Sequence, residues 1–138
     1  MCATSDLDPV TCLAIRVIQR CLAGDCVELI EKTLARYEAT SYCCHDNVTE
    51  FVALYPKYQR VRGFLVSHQP TSDTSLVIAH SVVADIDGSL CDITPNDAMF
   101  RYPFVRHNGT RDEFEIIAAK EPFMVEVPNP LLRQLGVI

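Results

Sequence analysis

The sequence predicts an α+β domain, helices first and an antiparallel sheet after them, and three observations carry that expectation. Apolar residues recur at helical spacing through the first third, whereas from residue 61 onward they follow the shorter period of strands. Turn signals, Asp87-Gly88 and Asn108-Gly109 among them, punctuate the second part at hairpin distances. Helices grouped ahead of strands favour helices packed on one sheet over alternating βαβ units. At 138 residues the chain has room for one globular domain, spanning residues 1–138, around one core.

The elements follow in order. Asp8 is placed to cap a first helix with Pro9 at its first position, and Cys12, Leu13, Ile15, Val17, Ile18, Cys21 and Leu22 form its apolar face. Gly24 supplies a stop. A second helix is expected over Asp25–Ala39, where Glu28 precedes Lys32 by four residues. Ser41 and Tyr42 break the pattern. A third helix starts near Cys44, carries Val48, Phe51, Val52 and Leu54, and closes before Pro56. Val61–His68 and Leu76–Asp85 are β-branched and apolar and read as strands, with a Pro-Thr-Ser-Asp loop between them. Asp87-Gly88 then turns the chain into a third strand, Leu90–Thr94, ended by Pro95-Asn96-Asp97. Further strands are expected at Phe100–His107, Phe114–Ala118 and Phe123–Val127, with Asn108-Gly109 as a second hairpin, and the tail reads as a short helix.

Composition excludes several classes. The twelve Lys and Arg are outnumbered by eighteen Asp and Glu and are not clustered, which argues against a nucleic-acid partner held through phosphates. No apolar run reaches bilayer length, so no membrane association is expected. The acidic N-terminus (MCATSDLDPV) lacks a basic-then-apolar signal pattern. Seven cysteines without regular spacing fit reduced thiols in a cytoplasmic protein better than a disulfide framework. Cys12, Cys21 and Cys26 fall among apolar positions and read as core fillers.

Chemistry is concentrated in three places. Cys43-Cys44-His45-Asp46-Asn47 heads the third helix, where the dipole and unpaired backbone N–H groups favour a thiolate and can hold an oxyanion. His80 stands mid-strand in an apolar segment, where a general base for that thiol would sit. Asp92 lies beyond the Asp87-Gly88 turn and could orient the histidine. If the turn has two residues, Asp92 sits opposite residue 83, and reaching His80 requires a bulge or a longer loop. His45, His68 and His107 are expected to be dispensable, with His45, beside the nucleophile, the nearest to an exception.

This order resembles the transglutaminase-like branch of the papain-like superfamily. In that branch a helix-borne Cys is followed by a strand His, a hairpin and an Asp-x-Thr. The parts here are Cys44, then His80-Ser-Val-Val-Ala-Asp-Ile-Asp-Gly, then Asp92-Ile-Thr-Pro. It is also similar to a group of small bacterial proteins with a Cys-His-x-Asn stretch, a Gly-aromatic-Leu-Val strand and His…Asp-Gly…Asp-x-Thr-Pro. Those parts are Cys44-His45-Asp46-Asn47, Gly63-Phe64-Leu65-Val66 and His80 through Pro95. The match covers about Cys43–Pro95. The resemblance implies a papain-like core and a Cys44-His80-Asp92 triad acting on an amide of a protein or peptide through a thioester, with no cofactor and no metal. Peptidase, deamidase and transglutaminase chemistry all pass through that intermediate. Val82 stands where an aromatic commonly follows the family histidine, and no Gln or Trp is evident for the oxyanion hole, so backbone N–H groups, Tyr42 or Asn47 would serve.

Two rival readings remain open at this point, as does the oligomeric state. Cys43, Cys44, His45, His80 and Cys91 include enough soft ligands for zinc, although no Cys-x-x-Cys pair occurs. Alternatively, a non-catalytic protein-binding or inhibitor module could have kept the fold and lost the chemistry.

Overall fold

A computed structural model describes residues 7–31, 44–94, 102–120 and 123–138. Helix α1 spans Pro9–Leu22. Asp8 caps it by accepting from the Thr11 N–H at 2.7 Å, Pro9 needs no partner for its nitrogen, and Gly24 leaves the helix at φ +89°. The first strand, β1, is Ile30–Glu31, followed by α2 (Cys44–Leu54) and the long hairpin β2 (Gln59–Ser67) and β3 (Thr74–Ala84). Then come β4 (Leu90–Asp92), β5 (Phe104–Arg106), α3 (Arg111–Ala118), β6 (Met124–Pro128) and α4 (Asn129–Gln134). No helix among the described residues is long and apolar enough to cross a membrane.

The fold is α+β, and its sheet runs in the order β1-β4-β3-β2-β5, with β6 also paired to β3. Every pairing is antiparallel except the two-residue β1–β4 contact. The helices gather on one face. Leu13, Val17 and Ile18 of α1, Phe114 and Ile117 of α3 and Leu132 of α4 meet Phe64, Val66, Val77, Ala79 and Val105 there. On the same face Val48 and Phe51 of α2 pack with Val83, Cys91 and Ile93. The other face buries Val61, Leu65, Val82 and Phe104, with Leu29, Ile78, Leu90 and Tyr102 against them.

Three expectations need correction. Over residues 25–31 the chain is extended rather than helical: Val27 exchanges both backbone hydrogen bonds with Phe104 at 2.8 and 2.9 Å, and Ile30 aligns with Cys91. Two sheet edges thus claim the backbone groups that a helix would use, overriding a modest local propensity. Residues 32–39 of that expected helix lie outside the described residues, as do Pro95-Asn96-Asp97 and Phe100. The expected strand Phe114–Ala118 is the body of α3. Thr110 caps this helix by accepting from the Glu113 N–H at 3.2 Å, and Asp112 and Glu113 sit in its first turn. A Thr-x-x-Glu start was the signal for a helix there. Asn108-Gly109 is accordingly the approach to α3 and not a hairpin turn.

Candidate functional site

Two strands share one edge of β3 without filling it. β6 takes Thr74–Ile78 and β4 takes Val83 and Ala84, while β2 occupies the opposite edge. Residues 79–82 lie between the ends of β6 and β4, where the Ala79 N–H is satisfied by the Phe123 carbonyl at 2.8 Å. Helix α2 begins against this interval. Its apolar positions Val48 and Phe51 seat it on the helical face of the sheet, and His45, in its first turn, places Nδ1 2.6 Å from Ser81 Oγ.

The β3–β4 hairpin decides where Asp92 points. The Asp85 N–H bonds the Ser89 carbonyl and the Gly88 N–H bonds the Asp85 carbonyl, both at 2.9 Å, so Ile86, Asp87 and Gly88 form a three-residue loop. Gly88 adopts φ +86°, the left-handed position such a loop requires. The loop is therefore one residue longer than the two-residue turn expected from Asp87-Gly88, and Val83 aligns with Cys91. One residue of register changes the face on which a side chain emerges. Continued by one residue, the observed register sets Asp92 across from Val82, on the face that carries His80. The shorter turn would have put it on the other face.

His80 and Asp92 meet as a result. His80 Nε2 and Asp92 Oδ2 are 2.9 Å apart, and both side chains are buried. Asp92 Oδ1 accepts from the Thr94 N–H at 3.1 Å, and Asn47 Nδ2 donates to Thr94 Oγ1 at 3.2 Å. Hydrogen bonds thus run without a break from α2 through the end of β4 to β3. The His80 ring lies edge-on to Phe104, with centroids 6.4 Å apart. Gly63, paired with His80 across β2, makes room for that ring: a Cβ there would stand 2.4 Å from Phe104 Cζ and from the Val105 carbonyl oxygen.

The electrostatics follow from this packing. Burial pushes the Cys44 thiol up, but hydrogen bonding and positive charge from His45 and His80 outweigh it and bring the pKa down to about 6. Burial alone would lower His80, yet its bond to Asp92, then Cys44, raise it to about 9. Both shifts favour a thiolate beside an imidazolium, and because the two groups interact those values belong to the pair. With Nε2 engaged by Asp92, Nδ1 is the His80 nitrogen left for the thiol. Cys21 shows the contrast: burial and the neighbouring Cys26 thiol push it up to about 12.

Of the residues singled out in the sequence, Cys44, His80, Asp92 and Asn47 are brought to one place. Asn47 uses its amide to hold Thr94, and Tyr42 and Cys43 lie outside the described residues. Cys91 projects to the helical face with Val83, away from His80, and its thiol contacts the Ser89 carbonyl at 3.8 Å, so it does not join a metal set with His80. Sequence reasoning missed Ser81 and Phe104. Strand alternation gave the signal for Ser81, since a residue beside His80 must face the helices. Comparison with protein-family models, with curated proteins and with solved structures finds no match.

Proposed function

We propose that this chain is a cysteine-dependent amide hydrolase or acyl transferase with a papain-like, transglutaminase-like core, acting on a protein or peptide in a reducing, cytoplasmic setting. The observation that supports this most is the buried His80–Asp92 bond beside a thiol held as thiolate at the start of a helix. Cys44 Sγ attacks the amide carbonyl, a C–S bond forms and the carbonyl electrons move to oxygen. N–H groups at the start of α2, which have no intrahelical acceptor, stabilise that oxyanion. The imidazolium of His80 gives its proton to the departing nitrogen as the C–N bond breaks, leaving a thioester and a neutral imidazole. Water or an amine then attacks, His80 takes its proton, and the thiolate leaves. Asp92 fixes the ring and stabilises the imidazolium.

The test is an electrophilic thiol probe at neutral pH followed by mass mapping. Cys44 should label far faster than Cys12, Cys21, Cys26 or Cys91, and both Cys44→Ala and His80→Ala should remove the fast phase with the fold intact. Labelling that is uniform across the cysteines would overturn the reading and favour a non-catalytic binding module.

A further inference from the structure

The proposed triad leaves one buried group next to it unexplained. His45 follows Cys44 in α2, and its Nε2 is the only buried side-chain nitrogen or oxygen without a hydrogen-bond partner among the described residues. Such atoms are uncommon in folded proteins, because an unsatisfied buried donor costs about 1–3 kcal/mol. The rest of the ring is closely held. Nδ1 sits 2.6 Å from Ser81 Oγ, and Ser81 is fully buried. Phe114 and Phe123 meet the imidazole edge-on, at 5.6 and 6.0 Å and nearly perpendicular. Phe123 takes φ +65°, the only non-glycine positive φ among the described residues, a conformation that costs a side-chain-bearing residue about 1–2 kcal/mol. A strained backbone, an orphaned nitrogen and a fully buried hydroxyl thus converge on one ring beside the nucleophile, and strain of this kind gathers at functional sites.

The strand geometry gives the arrangement its meaning. His80 and Ser81 are consecutive in β3 and project to opposite faces. The imidazole of His80 therefore approaches Cys44 from one face, and His45, tied to Ser81, stands on the other. We infer that His45 and Ser81 form a second imidazole–hydroxyl pair that pins the start of α2 to β3, making His45 a positioning residue that sets Cys44 against His80. With the Ser81 hydroxyl donating, Nδ1 accepts and the ring proton is on Nε2, directed among the phenyl rings. Cys44 sits at the open interval of β3, and the other ties of α2 to the sheet, the Asn47–Thr94 bond and the Val48 and Phe51 contacts, lie further along the helix. The titratable group beside this ring is Cys44 on its own helix; His80, backed by Asp92, lies on the opposite face of β3, and α3 and the approach to β6 contribute Phe114 and Phe123.

This inference rests on the proposed role of Cys44, and the experiment separates the two. Iodoacetamide alkylation of Cys44 is followed from pH 5 to 9.5 in the wild type, His45→Phe, His45→Asn and Ser81→Ala, with circular dichroism reporting the fold. His45→Phe keeps a ring between Phe114 and Phe123 but loses the Ser81 bond. It should raise the midpoint of the profile by about one pH unit, lowering the rate at pH 6 about fivefold. Ser81→Ala should move the midpoint in the same direction, and the double variant should move it no further. His45→Asn, whose amide can still meet the Ser81 hydroxyl, should recover most of the wild-type rate. An unchanged midpoint in a folded His45→Phe, or a shift there without one in Ser81→Ala, overturns the pair. Should His45→Phe not fold, the midpoint of Ser81→Ala decides alone. A wild-type thiol that reacts only above about pH 8 would instead remove the triad reading itself.

Discussion

Replacing Cys44 with Ala should uncover a pH dependence of stability that the intact pair conceals. In the folded protein the thiol titrates near 6 in place of 9.0, and His80 near 9 in place of 6.5. A depressed folded value gives stability that is present above the unfolded value and lost as pH falls through the folded one. A raised folded value gives stability that is present below the unfolded value and lost as pH rises through the folded one. The contribution of His80 alone would therefore drain away between 6.5 and about 9, while that of Cys44 would build up from about 6 to 9.0. Between pH 6.5 and 9 the folded pair holds one proton, on His80, and the unfolded pair holds one, on Cys44. Unfolding moves the proton without releasing or binding any, so the pair adds no slope in the wild type. With Cys44 gone, the folded state keeps a proton on His80 that the unfolded state lacks. If Asp92 supplies about half of the net rise against burial, the stability lost from pH 6.5 to 9 in the variant is about 1 kcal/mol. Urea denaturation of the wild type and Cys44→Ala at half-unit pH intervals measures this directly. Subtracting the two curves cancels the titrations they share. A difference that stays flat within a few tenths of a kcal/mol, or that changes in the opposite sense, would show that His80 does not carry the charge assigned to it.

Other outcomes follow from particular contacts. Gly63→Ala drives a methyl into Phe104 and the Val105 carbonyl; it should cost about 1–3 kcal/mol in denaturation and slow Cys44 labelling by displacing the ring behind His80. Asn47→Ala removes the tie to Thr94, and should reduce probe labelling and lower stability by about 1–3 kcal/mol through an unmet buried hydroxyl. Ser75→Ala is the matching control at the far end of the sheet, where Ser75 Oγ contacts His68 Nδ1 at 2.7 Å and donates to Asn129 Oδ1 at 2.6 Å. A similar loss of stability is expected there, with the alkylation profile of Cys44 unchanged.

Much of this was legible in the chain, for reasons that differ by element. The caps of α1, the Val48–Phe51 face of α2 and the alternation of β2 and β3 are local features, and local features survive into the fold. What failed depended on partners distant in sequence. Residues 25–31 are extended because Phe104 and Cys91 accept them, and neither is visible from the helical spacing of Val27 and Ile30. In α3 the apolar run Phe114-Glu-Ile-Ile outweighed a Thr110-x-x-Glu113 start that was present all along. At the site, Cys44, His80 and Asp92 stood out by chemistry, yet whether Asp92 could reach the histidine turned on a single residue of loop length. The His45–Ser81 contact was hidden because it links the start of a helix to a strand residue 36 positions away, on the face opposite His80.

Exposed hairpin tips ordinarily accept insertions and deletions, since nothing packs on them. The tip Ile86-Asp87-Gly88 is exposed, with Ile86 at 75% of its free surface, and changes of side chain there should be well tolerated. Its length is another matter. Adding or removing one residue while β3 holds its place would rotate β4 by one position, sending Asp92 toward α2 and turning Cys91 and Ile93 out of their core. Only changes by an even number keep the alternation. In this protein an outer loop is thus free in composition and restricted in parity, so a one-residue deletion far from Cys44 should be as damaging to the site as the loss of the aspartate itself.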